Sequence, residues 1–302
     1  MLTFAQDITT QYNRTTMVAK ITPRNGYGDT DGLRLLTQLG SEGLFIFGSD
    51  EARRAARAIG IADARVSYLL SRLVAGGWLT RLRRGLFADS GRLPGGVAAP
   101  SFAVATALVA PSAISHWSAL NYHGLTSQVP AVITATTPRK VITPSMRGSA
   151  HRSERTAQRH LWQLPALSVE YVSIKPQRFF GHAPEWLDQH FRVPIMDKER
   201  TVLDLFTQPR RFGGIDLGLS TLSDHLGELD VARLVSYALR YGSKAVCARL
   251  GWSLESVGAA PDELKSLAAA TGPGLQVLDP TRVRQGRRVS HWHLLDNVGL
   301  VR

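Results

Sequence analysis

One stretch constrains this chain more than any other: residues 61–90 combine an amphipathic helix with a basic hairpin. Apolar side chains recur there at the i, i+3, i+4, i+7 and i+8 spacing of one helix face. They are Val66, Leu69, Leu70, Leu73 and Val74. Gly76 and Gly77 follow, and glycine commonly ends a helix. The pattern therefore predicts a helix over 61–75 that buries one face and exposes the other.

A hairpin is predicted directly after this helix. Trp78 and Leu79 lead into it, a turn follows at Arg83-Arg84-Gly85, and Phe87 leads out. Two further helices are predicted upstream, beginning near Asp31 and near Ser49. Three helices followed by a basic hairpin are typical of a winged helix-turn-helix, whose third helix lies in the DNA major groove.

The exposed face of the third helix and the hairpin together form a candidate DNA-binding surface. Its residues are Arg65, Ser67, Tyr68, Ser71, Arg72, Arg81, Arg83 and Arg84. Arginine binds phosphate and guanine in bidentate geometry, and the hydroxyl side chains can reach base edges or sugar-phosphate. The alternative is a winged helix that makes only protein contacts, with arginines that are merely solvated.

The charge of the whole chain agrees with a polyanionic partner. The 302 residues include 36 Lys and Arg against 24 Asp and Glu, a net charge of +12. Such an excess favours nucleic acid or an anionic membrane, although an arginine-rich proteome would give the same balance. A single cysteine excludes a disulfide framework and indicates a reducing cytoplasm. No apolar run is long enough to predict a membrane span, and the first 20 residues do not resemble a signal peptide.

The length and the Pro/Gly content suggest how the chain is organised. We predict a flexible arm at 1–30, a winged helix-turn-helix domain at 31–90, a linker at 91–100 and a C-terminal domain at 101–302. Alternating strand patterns, including 167–174, 275–278 and 289–295, lie among helical segments in the C-terminal part. The predicted fold class is therefore α/β, more finely α+β, with a mixed C-terminal domain.

Four stretches of this sequence resemble the AbiEi family of antitoxins. They are VSYLLSRLVAGGWLTRLRRGLFA (66–88), ISHWSALNYHGLTSQVP (114–130), VPIMDKERTVLDLF (193–206) and ALRYGSKAVCARLGWSLES (238–256). The chain departs from the family pattern at Lys198, where the family has proline, and beyond Ser256. The resemblance implies a repressor that binds inverted repeats of double-stranded DNA in its own promoter. It also implies a C-terminal antitoxin domain that counteracts a cognate nucleotidyltransferase toxin.

Further basic groups extend the candidate surface. The first comprises Arg139, Lys140, Arg147, Arg152, Arg155 and Arg159, in a segment predicted to be a loop, and the second comprises Arg282, Arg284, Arg287 and Arg288. The first group suits a DNA flank or an acidic toxin surface, and a solvated loop is the alternative. Because no heptad run is present, we expect a monomer in solution that pairs on DNA. A preformed dimer through helices at 197–250 is the alternative.

Three sets of residues invite an enzymatic interpretation. His116 and His123 lie two turns apart on a predicted helix that Ser115 caps, and His291 and His293 share one face of a predicted strand. Each pair lacks the third ligand that a metal site needs. Lys198, Glu199 and Asp204 lie on one predicted helix, where Asp197 capping and surface pairing with Arg200 explain them better than a nuclease site.

We therefore predict no catalytic residues, no metal, no cofactor and no enzymatic activity. Two alternatives stay open. One is a nuclease, or another nucleic-acid-processing enzyme, that the winged helix directs to its substrate. The other is a plain transcriptional regulator with no toxin partner.

Overall fold

The structure is a computed structural model that describes residues 30–93, 96–147, 161–165 and 167–299. The chain is an α/β protein in which helices pack with three sheets. It divides into two compact units, and both are discontinuous in sequence. The first contains the described residues of Met1–Ile114, Pro130–Ser173 and Pro184–Pro194, and the second contains those of Ser115–Val129, Ile174–Ala183 and Ile195–Arg302.

The first unit begins with the elements predicted for 31–90. Helices α1 (Thr30–Ser41), α2 (Ser49–Ala58) and α3 (Asp63–Ala75) accompany strands β1 (Ile46–Gly48), β2 (Leu79–Arg83) and β3 (Leu86–Asp89). The strands form an antiparallel sheet in the order β1-β3-β2. Helix α3 begins two residues later than predicted, because the backbone N–H of Ile61 donates to the carbonyl of Ala56 and keeps Ile61 in the preceding turn. The predicted arm lies outside the described residues, except for Thr30, which begins α1.

These elements enclose an apolar core of their own. Its buried members come from these helices and strands and from Ile61 in the α2–α3 turn, and those that the described residues contribute lie between Leu35 and Phe87. The predicted apolar face of α3 supplies Val66, Leu69, Leu70 and Leu73, with Val74 partly buried at the margin. Burial of this face holds α3 in one rotational setting about its axis. The predicted linker at 91–100 lies within the first unit, and a separate 31–90 domain stays a prediction.

The middle of the chain contains helices and a mixed sheet of six strands. Its elements are α4 (Ser101–Leu108), β4 (Ala113–Ile114), α5 (His116–Tyr122), β5 (Ile133–Thr137), α6 (Pro144–Arg147), β6 (Leu161–Leu164), β7 (Leu167–Ser173), β8 (His182–Trp186) and β9 (Arg192–Met196). The strand order is β6-β7-β5-β4-β9-β8, with β5 and β7 parallel. Residues 144–147 form a short helix where the sequence predicted a loop.

The second unit is mainly helical. After α5 it contains α7 (Lys198–Thr207), α8 (Asp216–His225), α9 (Val231–Tyr241), α10 (Lys244–Ser256) and α11 (Pro261–Ala270), with a small sheet of β10 (Gln276–Val277), β11 (Arg287–Val289) and β12 (Leu294–Asp296). The predicted cap at Asp197 is confirmed, because its carboxylate accepts the backbone N–H of Arg200 at 2.7 Å. Asp230 caps α9 in the same way and accepts the backbone N–H of Arg233 at 2.9 Å. Gly242 ends α9 in the left-handed conformation, φ 69°.

The predicted continuous strand over 289–295 is wrong. A 3-10 turn over Ser290–Trp292 and a left-handed His293 (φ 47°) separate β11 from β12. The turn places the Trp292 indole in the core, where it packs tightly against Gly251 and its N–H donates to Glu255 at 2.8 Å. His291 pairs with Glu255 at 3.0 Å. The two histidines therefore do not share a strand face.

No helix in the described part of the chain has the length and apolar character needed to cross a membrane.

The buried face of α3 leads to a stability prediction. Leu73→Ala removes a fully buried side chain, so we expect a loss of about 2–5 kcal/mol in the free energy of unfolding. Tyr68→Ala is the matched control, since Tyr68 lies on the same helix and is 58% exposed. We expect that variant to stay within about 0.5 kcal/mol of the parent. Urea unfolding measures both, and equal losses would contradict the assigned orientation of α3.

Candidate nucleic-acid interface

The side of α3 opposite the core carries every helix residue of the predicted DNA-binding surface. Arg65, Ser67, Tyr68, Ser71 and Arg72 are all exposed. Tyr68 leaves 58% of its aromatic side chain accessible on this face. The Ser71 hydroxyl donates to the Ser67 carbonyl at 2.9 Å, so it is held along the helix. The helix thus presents hydroxyl, aromatic and cationic groups on one continuous face.

The hairpin after α3 carries the remaining predicted residues. Arg81, Arg83 and Arg84 are exposed, whereas Leu82 between them is buried. Gly85 makes the turn with a φ of 73°, a conformation that glycine adopts without steric cost. Its carbonyl accepts the backbone N–H of Ser49 at 3.1 Å, so the turn is fixed to the start of α2. The exposed arginines therefore project from a braced hairpin.

The cations of this surface differ in how they are paired. Arg65 forms an ion pair with Asp31 at 2.6 Å. Arg81 lies over the Phe87 ring, with its guanidinium carbon 5.7 Å from the ring centroid. Within the described residues, no carboxylate lies within ion-pair distance of Arg72, Arg83 or Arg84. The guanidinium groups of these three arginines are therefore available to an anionic partner.

The basic group that begins at Arg139 is placed only in part. Arg139 and Lys140 are exposed just after β5, where the Ser173 hydroxyl donates to the Arg139 carbonyl at 2.8 Å. The side chain of Arg147 lies outside the described residues, as do Arg152, Arg155 and Arg159. In the C-terminal group, Arg282 pairs with Asp216 at 2.6 Å and with Asp279 at 3.4 Å. Arg284, Arg287 and Arg288 are exposed on and beside β11.

The histidine pair considered for chemistry has two different environments. Ser115 precedes α5 at the cap position, but its hydroxyl contacts the His116 ring at 2.8 Å instead of the helix backbone. His116 is buried, stacks on Phe212 and lies 4.0 Å from an Asp204 oxygen. His123 contacts the Met196 carbonyl at 2.7 Å. In the part of the chain that the structure describes, no three His, Cys, Asp or Glu side chains are grouped to hold a metal ion.

The three residues considered for a nuclease site bind different partners. Lys198 pairs with Glu228 at 2.7 Å. Hydrogen bonds from Lys198 and from the neighbouring His225 lower the pKa of Glu228 to about 2. Glu199 accepts the backbone N–H of Asp230 at 3.0 Å and pairs with Arg233 at 3.5 Å. Asp204 pairs with Arg200 one turn away. The side chains therefore do not converge on one point.

The predicted surface location of the Arg200 pair is wrong. Arg200 and Asp204 are each 1% exposed. The guanidinium lies 5.3 Å from the Phe180 ring centroid and 5.6 Å from that of Tyr241. Helix α7 is covered on all sides, so its polar residues must satisfy one another inside the unit. The alternation of charged and apolar residues in KERTVLDLF gave no sign of this burial.

Sequence reasoning also missed an ionisable cluster around Asp197. The Tyr237 hydroxyl donates to Asp197 at 2.8 Å, and burial together with that carboxylate raises the pKa of Tyr237 to about 12. Burial raises the pKa of Asp197 itself and, with the nearby Arg200 charge, lowers the pKa of His182. These residues come from β8, the α7 cap and α9, so no local pattern in the sequence predicts that they lie together.

The buried pair in α7 leads to a second stability prediction. Arg200→Met leaves Asp204 as an uncompensated buried charge, so we expect a loss of about 3–5 kcal/mol in the free energy of unfolding. The double variant Arg200→Met/Asp204→Leu removes both charges and should recover most of that loss. Urea unfolding of the two proteins checks this. A double variant no more stable than the single one would show that the guanidinium stabilises through its ring contacts rather than its charge.

Comparison with known proteins bears on the fold alone. No family model matches the chain, and no curated protein matches it. Among solved structures, the chain is similar to the crystal structure of the RV2827C protein from Mycobacterium tuberculosis. The two chains are 16% identical, the match covers 92% of this chain and 94% of that one, and the TM-score is 0.55. At this identity the similarity establishes a shared architecture over nearly the whole length.

Proposed function

We propose that this protein binds double-stranded DNA through α3 and the β2–β3 hairpin, as a sequence-specific transcriptional regulator. One observation carries the proposal: all eight predicted contact residues are exposed, while the apolar side chains that alternate with them are buried. Any surface helix buries its apolar face, so the chemistry of the exposed set favours DNA: five of the eight residues are arginine and none is acidic. The net charge of +12 supports the same kind of partner.

The proposed binding geometry is that of a winged helix-turn-helix. Helix α3 enters the major groove, which is wide enough to admit an α-helix. Tyr68 and Arg72 then face base edges, and Arg83 and Arg84 on the hairpin face backbone phosphates. Base contacts carry the sequence preference, whereas phosphate contacts supply affinity that any DNA sequence shares.

The biological setting rests on the AbiEi resemblance. We propose that the protein represses its own operon from inverted repeats and neutralises a cognate nucleotidyltransferase toxin. This places it in the cytoplasm with the DNA. Binding as a monomer that pairs on DNA completes the proposal, because one winged helix covers few base pairs and two half-sites multiply the specificity.

Two alternatives keep the DNA-binding surface. A plain regulator without a toxin partner uses the same residues, and the gene beside this one distinguishes it from an antitoxin. A nuclease has weaker support, because Glu199 pairs with Arg233 and Asp204 pairs with Arg200, so the two carboxylates do not form one site. Metal-dependent cleavage of DNA or RNA by the purified protein would establish the nuclease alternative.

The DNA-binding proposal predicts two distinct classes of variant. Arg83→Ala/Arg84→Ala should weaken binding to all sequences alike and reduce the slope of log K against log salt by about 0.9 for each lost phosphate contact. Tyr68→Ala and Arg72→Ala should instead relax base preference, by about 1–3 kcal/mol for each lost base contact. Fluorescence anisotropy with promoter and scrambled duplexes at several salt concentrations measures both effects.

A matched control comes from the second unit. Arg233→Ala removes another exposed arginine, one that pairs with Glu199 and Asp230. That variant should leave both the affinity and the salt slope unchanged. Unchanged promoter affinity in the Arg83→Ala/Arg84→Ala protein would contradict the role of the hairpin.

The antitoxin part of the proposal has a test of its own. Co-expression with the adjacent nucleotidyltransferase gene should restore growth that the toxin alone arrests. The Arg83→Ala/Arg84→Ala protein should restore growth equally well from an unrelated promoter, because the AbiEi resemblance implies that the C-terminal part neutralises the toxin. Growth arrest that persists with the full-length protein would contradict the antitoxin proposal and would not affect the DNA-binding proposal.

A further inference from the structure

Arg65 differs from the other cations of the candidate DNA-binding surface. It alone among the eight described residues of that surface forms an ion pair with a carboxylate. Both oxygens of Asp31 are in use: one accepts from Arg65 at 2.6 Å and the other from Arg34 at 3.1 Å. The Asp31 side chain is 23% exposed, while that of Arg65 is 54% exposed. The acid is thus sheltered in the unit, and the base reaches toward solvent.

This pair connects α1 to the first turn of α3. Arg34 also donates to the carbonyl of Ile59, at the end of α2, at 3.0 Å. A separate ion pair between Arg57 and Asp63, at 2.8 Å, spans the turn between α2 and α3. Arg65 stands in the first turns of α3, next to Asp63. The carboxylate of Asp31 therefore holds a side chain at the end of α3 where the helix meets the turn.

We propose that Asp31 is an internal competitor of DNA phosphate for Arg65, and that it limits the affinity of the protein for DNA in general. The inference rests on the proposed DNA-binding function. A carboxylate and a phosphate offer the same charge-assisted hydrogen bonds to a guanidinium. Asp31 holds Nη1 of Arg65, so a phosphate must either displace the carboxylate or share the guanidinium with it. In both cases the negative charge of Asp31 offsets part of the attraction between Arg65 and the phosphate. The contact made by Arg65 consequently adds less affinity, and less salt dependence, than a phosphate contact made by Arg83 or Arg84.

Lower general affinity is useful to a sequence-specific protein. Phosphate contacts strengthen binding to every sequence, and specific sites compete with a large excess of non-specific DNA. An arginine whose charge is offset by its own carboxylate contributes most where the bound geometry brings a phosphate close enough to compete with that carboxylate. Asp31 is therefore a specificity-determining residue that itself touches no DNA.

Asp31→Asn tests the proposal with little change in shape. The amide keeps an oxygen for Arg34 and loses the charge that restrains Arg65. We expect binding to a short duplex of mixed sequence to tighten about twofold to fivefold at low salt, the range to which an exposed ion pair corresponds. The salt slope should steepen by up to about 0.9. Asp63→Asn is the matched control, because it removes the same charge from a carboxylate that pairs with Arg57 instead.

A double-variant cycle separates release of Arg65 from a general change in charge. In an Arg65→Ala background, Asp31→Asn should tighten binding no more than Asp63→Asn does. The same gain with and without Arg65 would overturn the inference, and so would weaker binding by Asp31→Asn alone. A further comparison needs no change at Asp31: Arg65→Ala should lower the salt slope by less than Arg83→Ala does, and equal losses would also overturn it.

The outcomes distinguish this inference from the function on which it rests. If the parent protein binds no DNA, the proposed function fails and the inference fails with it. If the parent binds DNA and the cycle shows no coupling between Asp31 and Arg65, only the inference fails. Thermal melting of each variant establishes that it is folded before its binding is compared.

Discussion

Burial of one face of α3 is the constraint on which the candidate interface depends. Val66, Leu69, Leu70 and Leu73 are each at most 3% exposed, so the helix has a single rotational setting. That setting decides which side chains can meet a partner, because residues on the other face have nowhere to point except outward. The hairpin is fixed in turn through the bond from Ser49 to Gly85. The hydrophobic core thereby fixes the positions of the polar side chains on the exposed surface.

Ion pairs serve different purposes according to their burial. Around the α2–α3 turn of the first unit they lie at the surface, where each contributes little to stability and can exchange partners. In the second unit the Arg200–Asp204 pair is enclosed with Phe180 and Tyr241, where losing one member leaves an unpaired buried charge. The same residue types therefore give an adjustable contact in one place and a structural element in the other.

Local patterns predicted the first 60 described residues well and the C-terminal residues less well. The α3 stripe, the glycines after it and the arginine turn all depend on neighbours within a few positions, and each predicted element is present. The burial of α7 and the break at His293 depend on distant partners: Phe180 and Tyr241 for the former, and Gly251 for the latter. Spacing within one segment carries no information about such contacts. For the same reason the sequence pointed to Arg65 as a surface cation but not to Asp31, 34 residues away, as its partner.

The central claim is that α3 and the β2–β3 hairpin contact DNA. Mapping amide chemical-shift changes in the full-length protein during titration with its promoter DNA tests this most directly. We expect the largest changes in Asp63–Ala75 and around the turn between Leu79–Arg83 and Leu86–Asp89, with little change in α7 and α10. Saturable binding with the largest changes confined to the second unit, and none in α3, would contradict the account.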